Sequence, residues 1–541
     1  MLPLAYEPRA AEDTVLHAVV RDHLEEFLAT TAGADGSGGV PRFVARELRD
    51  FLGCGVLGRG FARVRCGTCA FERLVPFSCK ARAVCSSCGG RRMTAQAAHL
   101  VDAVLPRVPV RQWVLTLPYR LRWRLAFDHG LCRAVLGMFV RALLTALRRR
   151  ARRLGTRDGL GGAVTVVQRF SGGLGLNVHF HTLAVDGVFA AAADGTLRFQ
   201  PLPAPTPAEV ARLLAGVQRR VQRLLTRRGL GEAEAEAGGD DGAPADALAQ
   251  LGAAAVQGRL AFGPQAGARV PGMGGEPPDP VVPGTTTPRA HCDGFDLHAA
   301  VAVPAGDRER LEKLCRYVLR PPIAQERLGL QLDGRIVLTL KAAWRDGTTH
   351  LVFTPLELLG RLAVLIPRPR VNLVLYHGIL APHARGRAAA VAFGAPAAAA
   401  PAGPDAAVPG PAAGGAGEAG APATIPGAAP ERAEVAKVGD GQPPAREDGP
   451  RSDPRADPEA PPPAPPVPGP AAANRAARWA DLMRRAFALD VLACPRCGGR
   501  MTVIATIDDP RVVRKILDHL GLPTTVPMPR PPPRDAVAFA E

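Results

Sequence analysis

Apolar positions recur three and four residues apart through "TVLHAVVRDHLEEFLAT" and "PRFVARELRDFLGCG", which predicts helices over most of residues 1–50. From Arg111 the spacing changes. "QWVLTLP" reads as a strand, "FDHGLCRAVLGMFVRALLTALRRRARRLG" as a long helix stopped at Gly155, and "GAVTVVQRF" and "LNVHFHTLAVDG" as two further strands. Residues 206–229 regain helical spacing, "FDLHAAVAV" is extended, Asp307 to Leu319 is a helix, and "GRIVLTLKAAWRDGTTHLVFTP" is a hairpin turning at Asp346-Gly347. The fold class this implies is α+β, a mostly antiparallel sheet with helices on one face.

Composition sets the remaining boundaries. Residues 393–474 are Ala, Pro and Gly with almost no large apolar side chains, so they cannot offset the entropy of folding and are expected to be a disordered linker. The expected order is a helical segment (1–50), a cysteine-rich domain (51–100), a central domain (101–392, with a partly flexible insertion at 231–290), the linker, a small module (475–522) and a disordered Pro/Arg tail (523–541). A net charge of +17, mostly arginine, points to an acidic partner such as nucleic acid. No run of 18 or more apolar residues and no basic N-terminal leader stand in the chain, so no membrane partner is expected and the predicted location is the cytoplasm.

Six of the 11 cysteines fall between Cys54 and Cys88. Cys66-x2-Cys69 and Cys85-x2-Cys88 form two knuckles, whose four thiolates suit a closed, structural Zn²⁺ cage. Cys54 and Cys79 are near enough to replace a member or to complete another site. Cys494 and Cys497 of "CPRC" supply half of a second zinc site, its other ligands being Cys54, Cys79, a histidine or a second subunit.

In a strand, side chains alternate, so His179 and His181 leave the same face. A two-residue turn at Gly173-Leu174 would pair Phe170 with Asn177 and set Gln168 opposite His179. Gln168, His179 and His181 would then offer two nitrogens and an amide oxygen to a hard cation such as Mg²⁺ or Mn²⁺, with Asp186, Asn177 and His298 as rivals for the third place. Among the four tyrosines, Tyr6 lies in the N-terminal tail, Tyr119 at a strand end and Tyr376 in an apolar run that reads as a buried strand. Tyr317 stands at the rim of an amphipathic helix, beside Arg310, Lys313, Arg316 and Arg320, which suit DNA phosphates.

Taken in order, the cysteine-rich module, "QWVLTLP", "VVQRFSGGLGLNVHFHTLAVDGVF", "GFDLHAAVAV", "LCRYVLRPPIA", "NLVLYHGILAPHA" and "LACPRCGGRM" resemble the insertion-sequence-91 family of rolling-circle transposases, which are HUH endonucleases. The likeness runs from about residue 15 to 392 and from 475 to 522. It implies an HUH-type sheet in which His179 and His181 bind the cation and Tyr317 attacks single-stranded DNA at element ends and target, leaving a 5′-phosphotyrosine. Many members carry a second tyrosine four residues earlier; here Lys313 stands there, as in the single-tyrosine, common-region subgroup. Either Tyr317 acts twice or the two subunits of a homodimer give one each. No G-x-x-x-x-G-K-[ST] sequence is present, so unwinding falls to host replication and helicase machinery. Two other readings share parts of this pattern: a plasmid replication initiator or relaxase, and a non-catalytic zinc DNA-binding protein derived from a transposase.

Overall fold

A computed structural model describes residues 11–32, 38–230, 247–275, 287–395, 480–485 and 490–532. Apart from residues 393–395, the expected linker lies outside the described residues, as do Tyr6 and residues 533–541 of the expected tail.

The central element is a seven-stranded sheet in the order Val374–Gly378, Gly162–Phe170, Leu176–Val185, Val110–Thr116, Phe295–His298, Arg289–Cys292, with Ala302–Val303 also paired to Val110–Thr116. Every pairing is antiparallel. Helices cover both faces, not one as expected. On one side Phe180, Val178 and Leu115 pack with Leu131, Phe139 and Leu143 of the helix His129–Arg153. On the other, Val164, Val166 and Leu183 pack with Leu100 and Val101 of the helix Ser86–Ala103 and with Leu311, Cys315 and Val318 of the helix Arg308–Leu319. The reason is visible in "GAVTVVQRF": every residue of that strand is buried, and a strand buried on both faces reads as a continuous apolar run without alternation.

Local chemistry sets the elements that frame the site. Asp128 caps the long helix through its side chain to the Leu131 N–H (2.8 Å), and Gly155, at φ +89°, follows its C-terminal end. That helix is long and apolar enough to cross a bilayer, yet half of its apolar stretch is buried in the core of this fold. Asp307 caps the helix Arg308–Leu319 by accepting from the Arg310 N–H at 3.0 Å. Pro321 and Pro322 follow the end of this helix, where continuing helical backbone is blocked.

The hairpin carrying the histidines departs from its expected turn. Ser171 and Gly175 close a three-residue loop, with Ser171 N–H donating to Gly175 O (3.0 Å) and Leu174 in the left-handed region at φ +60°. Phe170 therefore pairs with Leu176, not Asn177, and a bulge between Gln168 and Phe170 absorbs the extra residue. Gln168 still lies opposite His179, and Val166 opposite His181. Burial of the Leu174 side chain, fully enclosed, offsets the strained φ of a non-glycine residue.

Parts of the insertion expected to be partly flexible, and of the tail expected to be disordered, lie among the described residues. Within the insertion, the helix Ala247–Gln257 buries Leu248, Leu251 and Ala255, and Gly272–Gly274 pairs with Thr348–Phe353; residues 231–246 and 276–286 lie outside the described residues. In the tail, the Arg530 N–H donates to Arg21 O (2.7 Å) and its guanidinium meets Asp22 at 3.1 Å. The C-terminal segment joins the cysteine-rich region. Met501–Ile507 pairs with Phe61–Cys66, which in turn pairs with Glu72–Pro76, and Val513 and Leu517 of the helix Pro510–His519 cover Phe61.

Candidate active site

His179 and His181 leave the same face of the strand Leu176–Val185, and their Nε2 atoms lie 3.1 Å apart. Both are buried. His179 Nδ1–H donates to Asn177 O at 2.9 Å, which leaves its Nε2 unprotonated and facing His181. Burial, ahead of the charges on Arg320 and Arg122, pushes the His179 pKa down to about 4. Burial, then His179 and Arg320, pushes His181 down to about 3. Both rings are therefore neutral near pH 7, the state in which imidazole binds a metal.

The tyrosine helix closes over this pair. The Tyr317 ring stands edge-on to His181, with centroids 6.1 Å apart and planes at 88°, and the residue is 49% exposed. Arg320, one turn on, stacks 4.2 Å from the Tyr317 centroid and 5.5 Å from that of Phe170. Gln168 donates from Nε2 to Val318 O at 3.0 Å, while its buried Oε1 has no partner. Asn177 Oδ1, two residues before His179, is likewise buried without a partner. The orphaned Gln168 amide oxygen, opposite His179, and two neutral imidazoles make a donor set that fits a hard divalent cation.

The other rivals stand elsewhere. Asp186 is held through Oδ2 in a buried ion pair with Arg111 (2.6 Å), a residue whose register beside Ala184 puts it on the strand face opposite the histidines, while Asp186 Oδ1 is buried without a partner. His298 shares the histidine face through the row His181, Val114, His298, two strands across. Removing Asp186 strands a buried guanidinium, and Asp186→Ala is expected to cost roughly 3–5 kcal/mol in a urea melt while divalent-cation affinity is unchanged. Of the remaining tyrosines, Tyr119 begins the helix Tyr119–Phe127, not a strand end, and is 59% exposed. Tyr376 lies half-buried on the edge strand, where its hydroxyl accepts from Gln96 Nε2 at 3.3 Å.

The cysteines pair differently from the expected single cage of Cys66, Cys69, Cys85 and Cys88. One cluster joins Cys85 and Cys88 to Cys54 and Cys79, with Sγ separations of 3.5 Å for Cys54–Cys85 and 3.6 Å for Cys79–Cys88. The other joins Cys66 and Cys69 to Cys494 and Cys497. Glu47 orders the first cluster's approach by accepting from the backbone N–H groups of Arg82 and Ala83 at 2.9 and 2.7 Å. By contrast, Cys132 and Cys315 are pushed up to about 11 and about 12 by burial, as expected of inert core thiols.

Two family models match this chain. One, described as a transposase zinc-binding domain of the insertion-sequence-91 type, covers residues 19–117; the other, described as "Putative transposase", covers residues 162–388. The chain belongs to the insertion-sequence-91 transposase family. No curated protein and no solved structure matches it. The zinc-binding match spans all four thiols of the Cys54, Cys79, Cys85 and Cys88 cluster, whose soft, buried donors fit Zn²⁺.

Spacing alone did not single out several residues that the transposase brings to this site. Arg327 and Lys341 join Arg320 and Arg122 in a basic rim: the Lys341 pKa is lowered by burial and by Arg320 and Arg327. Of the cations expected to meet DNA, Arg310 and Lys313 are exposed, Arg316 and Arg320 are partly buried, and Lys313 holds a solvent-facing pair with Glu309 at 2.6 Å. Gln112 is the other addition. Its Nε2 lies 2.8 Å from His181 Nδ1, which lets His181 Nε2–H donate to His179. Turning the amide over would present Oε1 to a proton on Nδ1 and free Nε2 for a metal. The signal was present, a glutamine beside the apolar run Trp113–Leu115 in a predicted strand, but its partner was out of sight. Gln112→Leu is expected to weaken Mn²⁺ affinity about 10- to 100-fold by titration, leaving zinc content intact.

Proposed function

We propose that this transposase cleaves and rejoins single-stranded DNA by the rolling-circle route through a 5′-phosphotyrosine at Tyr317. The observation that carries the reading is the meeting of Tyr317 with the His179 and His181 pair, 6.1 Å between the rings of Tyr317 and His181, from elements more than a hundred residues apart. His179 Nε2, His181 Nε2 and Gln168 Oε1 would hold Mg²⁺ or Mn²⁺. When bound, such a cation supplies Lewis-acid polarisation of the scissile phosphate. The chain's own groups do the rest. The Tyr317 oxygen bonds to phosphorus, the bond from phosphorus to the 3′ oxygen breaks, and that oxygen leaves as a hydroxyl. Arg320, Arg122, Arg327 and Lys341, with Arg310 and Lys313 further along the helix, hold the flanking phosphates and offset charge developing on the phosphoryl oxygens. Attack by a 3′-hydroxyl on the phosphotyrosine reverses the step and needs no nucleotide cofactor.

The test uses purified protein, Mn²⁺ or Mg²⁺, and strand-specific oligonucleotides from both flanks of the gene. Expected is a nicked strand whose 5′ product is attached to the peptide containing Tyr317, identified by mass spectrometry. DNA binding with neither cleavage nor adduct on any flank strand would favour a non-catalytic DNA-binding protein instead.

A further inference from the structure

The second cysteine cluster is built from the two ends of the described chain, and the zinc-binding match stops at residue 117, well short of Cys494 and Cys497. We propose that Cys66, Cys69, Cys494 and Cys497 hold a second structural Zn²⁺, a clasp that ties the C-terminal segment to the N-terminal metal module and braces the tyrosine helix. The four Sγ atoms lie within 4.8 Å of one another, with Cys66–Cys497 and Cys69–Cys494 both at 3.6 Å. A tetrahedron with Zn–S bonds of about 2.3 Å has edges of about 3.8 Å.

The backbone makes the same case independently of the sulfur positions. The two C-x-x-C loops are built alike. In the first, Ala70 N–H donates to Cys66 O (3.1 Å), Cys66 N–H donates to Phe71 O (2.8 Å), and Ala70 sits at φ +56°. In the second, Gly498 N–H donates to Cys494 O (2.9 Å), Cys494 N–H donates to Gly499 O (2.8 Å), and Gly498 sits at φ +71°. Matching knuckles therefore face each other across paired strands, with Cys66 opposite Met501. The left-handed residue after each second cysteine is what turns both thiols of a loop toward one point. At Ala70 that conformation is strained for a residue with a Cβ, which a coordination bond would offset.

The clasp reaches the catalytic helix through Arg485. Its guanidinium donates to Asp102 (2.5 and 3.1 Å), at the end of the helix Ser86–Ala103, and to Glu312 (2.8 Å), on the tyrosine helix. Glu312 is buried, so this ion pair fixes helix position more firmly than a surface pair would. Beside it, Arg484 meets Asp490 at 3.3 Å, four residues before Cys494, which ties this segment to the clasp.

Zinc per chain, measured by elemental analysis and native mass spectrometry of the full chain, decides the matter. Expected values are two for the wild type and for the Cys292→Ser control, and one each for Cys494→Ser/Cys497→Ser and Cys85→Ser/Cys88→Ser. One zinc in the wild type, or two retained in Cys494→Ser/Cys497→Ser, would overturn the clasp. Cobalt-loaded wild-type protein needs no variant: thiolate-to-cobalt absorbance equal to two four-sulfur sites supports the assignment, and absorbance equal to one refutes it. The bracing role alone rests on the cleavage reading above. It predicts a several-fold slower adduct formation in Cys494→Ser/Cys497→Ser, and an unchanged rate would remove it. Because the zinc count does not depend on cleavage, the two readings fail separately.

Discussion

Tyr317→Phe is expected to form no covalent protein–DNA adduct and to lower Mn²⁺-dependent strand cleavage by at least about 10³-fold, since the substitution removes the attacking oxygen itself. The competing phenols are poorly placed. Tyr376 is held by Gln96 on the edge strand, and Tyr119 opens a different helix. Tyr317 is half exposed, and no hydrogen bond of its hydroxyl appears among the described contacts, so stability should move by no more than about 0.5 kcal/mol. That separates loss of chemistry from loss of fold. An adduct of wild-type yield from the phenylalanine variant, in a band-shift or mass measurement, would show that another residue is the nucleophile.

The second large effect falls on the histidines. His179→Ala and His181→Ala each remove one of the donors assigned to the cation, and cleavage at fixed Mn²⁺ is expected to fall about 10²- to 10³-fold, equivalent to several kcal/mol of lost phosphate polarisation. Because binding is what weakens, raising Mn²⁺ should recover part of the rate in either variant, whereas no concentration rescues Tyr317→Phe. Single-strand DNA affinity measured without divalent cation should change little. If His181→Ala cleaved as the wild type does at limiting Mn²⁺, the assignment of the cation to this face would fall.

Much of this site could be read from the chain itself. The i, i+2 spacing put His179 and His181 on one face, and the amphipathic pattern of Asp307 to Leu319 put Tyr317 at a rim. The opposition of Gln168 and His179 was also legible, although by a loop one residue longer than expected and a compensating bulge. Gln112, Arg327 and Lys341 were not. Each meets the histidine face, or the cations around it, through strand order or loop packing, and neither leaves a periodic trace.

The cysteine pairing shows the same division more sharply. Two C-x-x-C motifs close in sequence make a plausible cage, and nothing in their spacing contradicts it. The fold instead splits them, sending Cys85 and Cys88 to Cys54 and Cys79, and Cys66 and Cys69 to a pair more than four hundred residues away. Loop-closure entropy grows only with the logarithm of the intervening length, so distant partners are scarcely disfavoured once strand pairing has brought them together. Sequence by itself determined residue chemistry, local period and therefore which side chains share a face: thiolate knuckles, a histidine pair, a tyrosine at a helix rim, and membership of a transposase family. Only the tertiary structure decided which faces meet, because strand order, helix placement on both sides of the sheet and the junction of the chain's two ends are set by long-range packing, which has no signature in nearest-neighbour spacing.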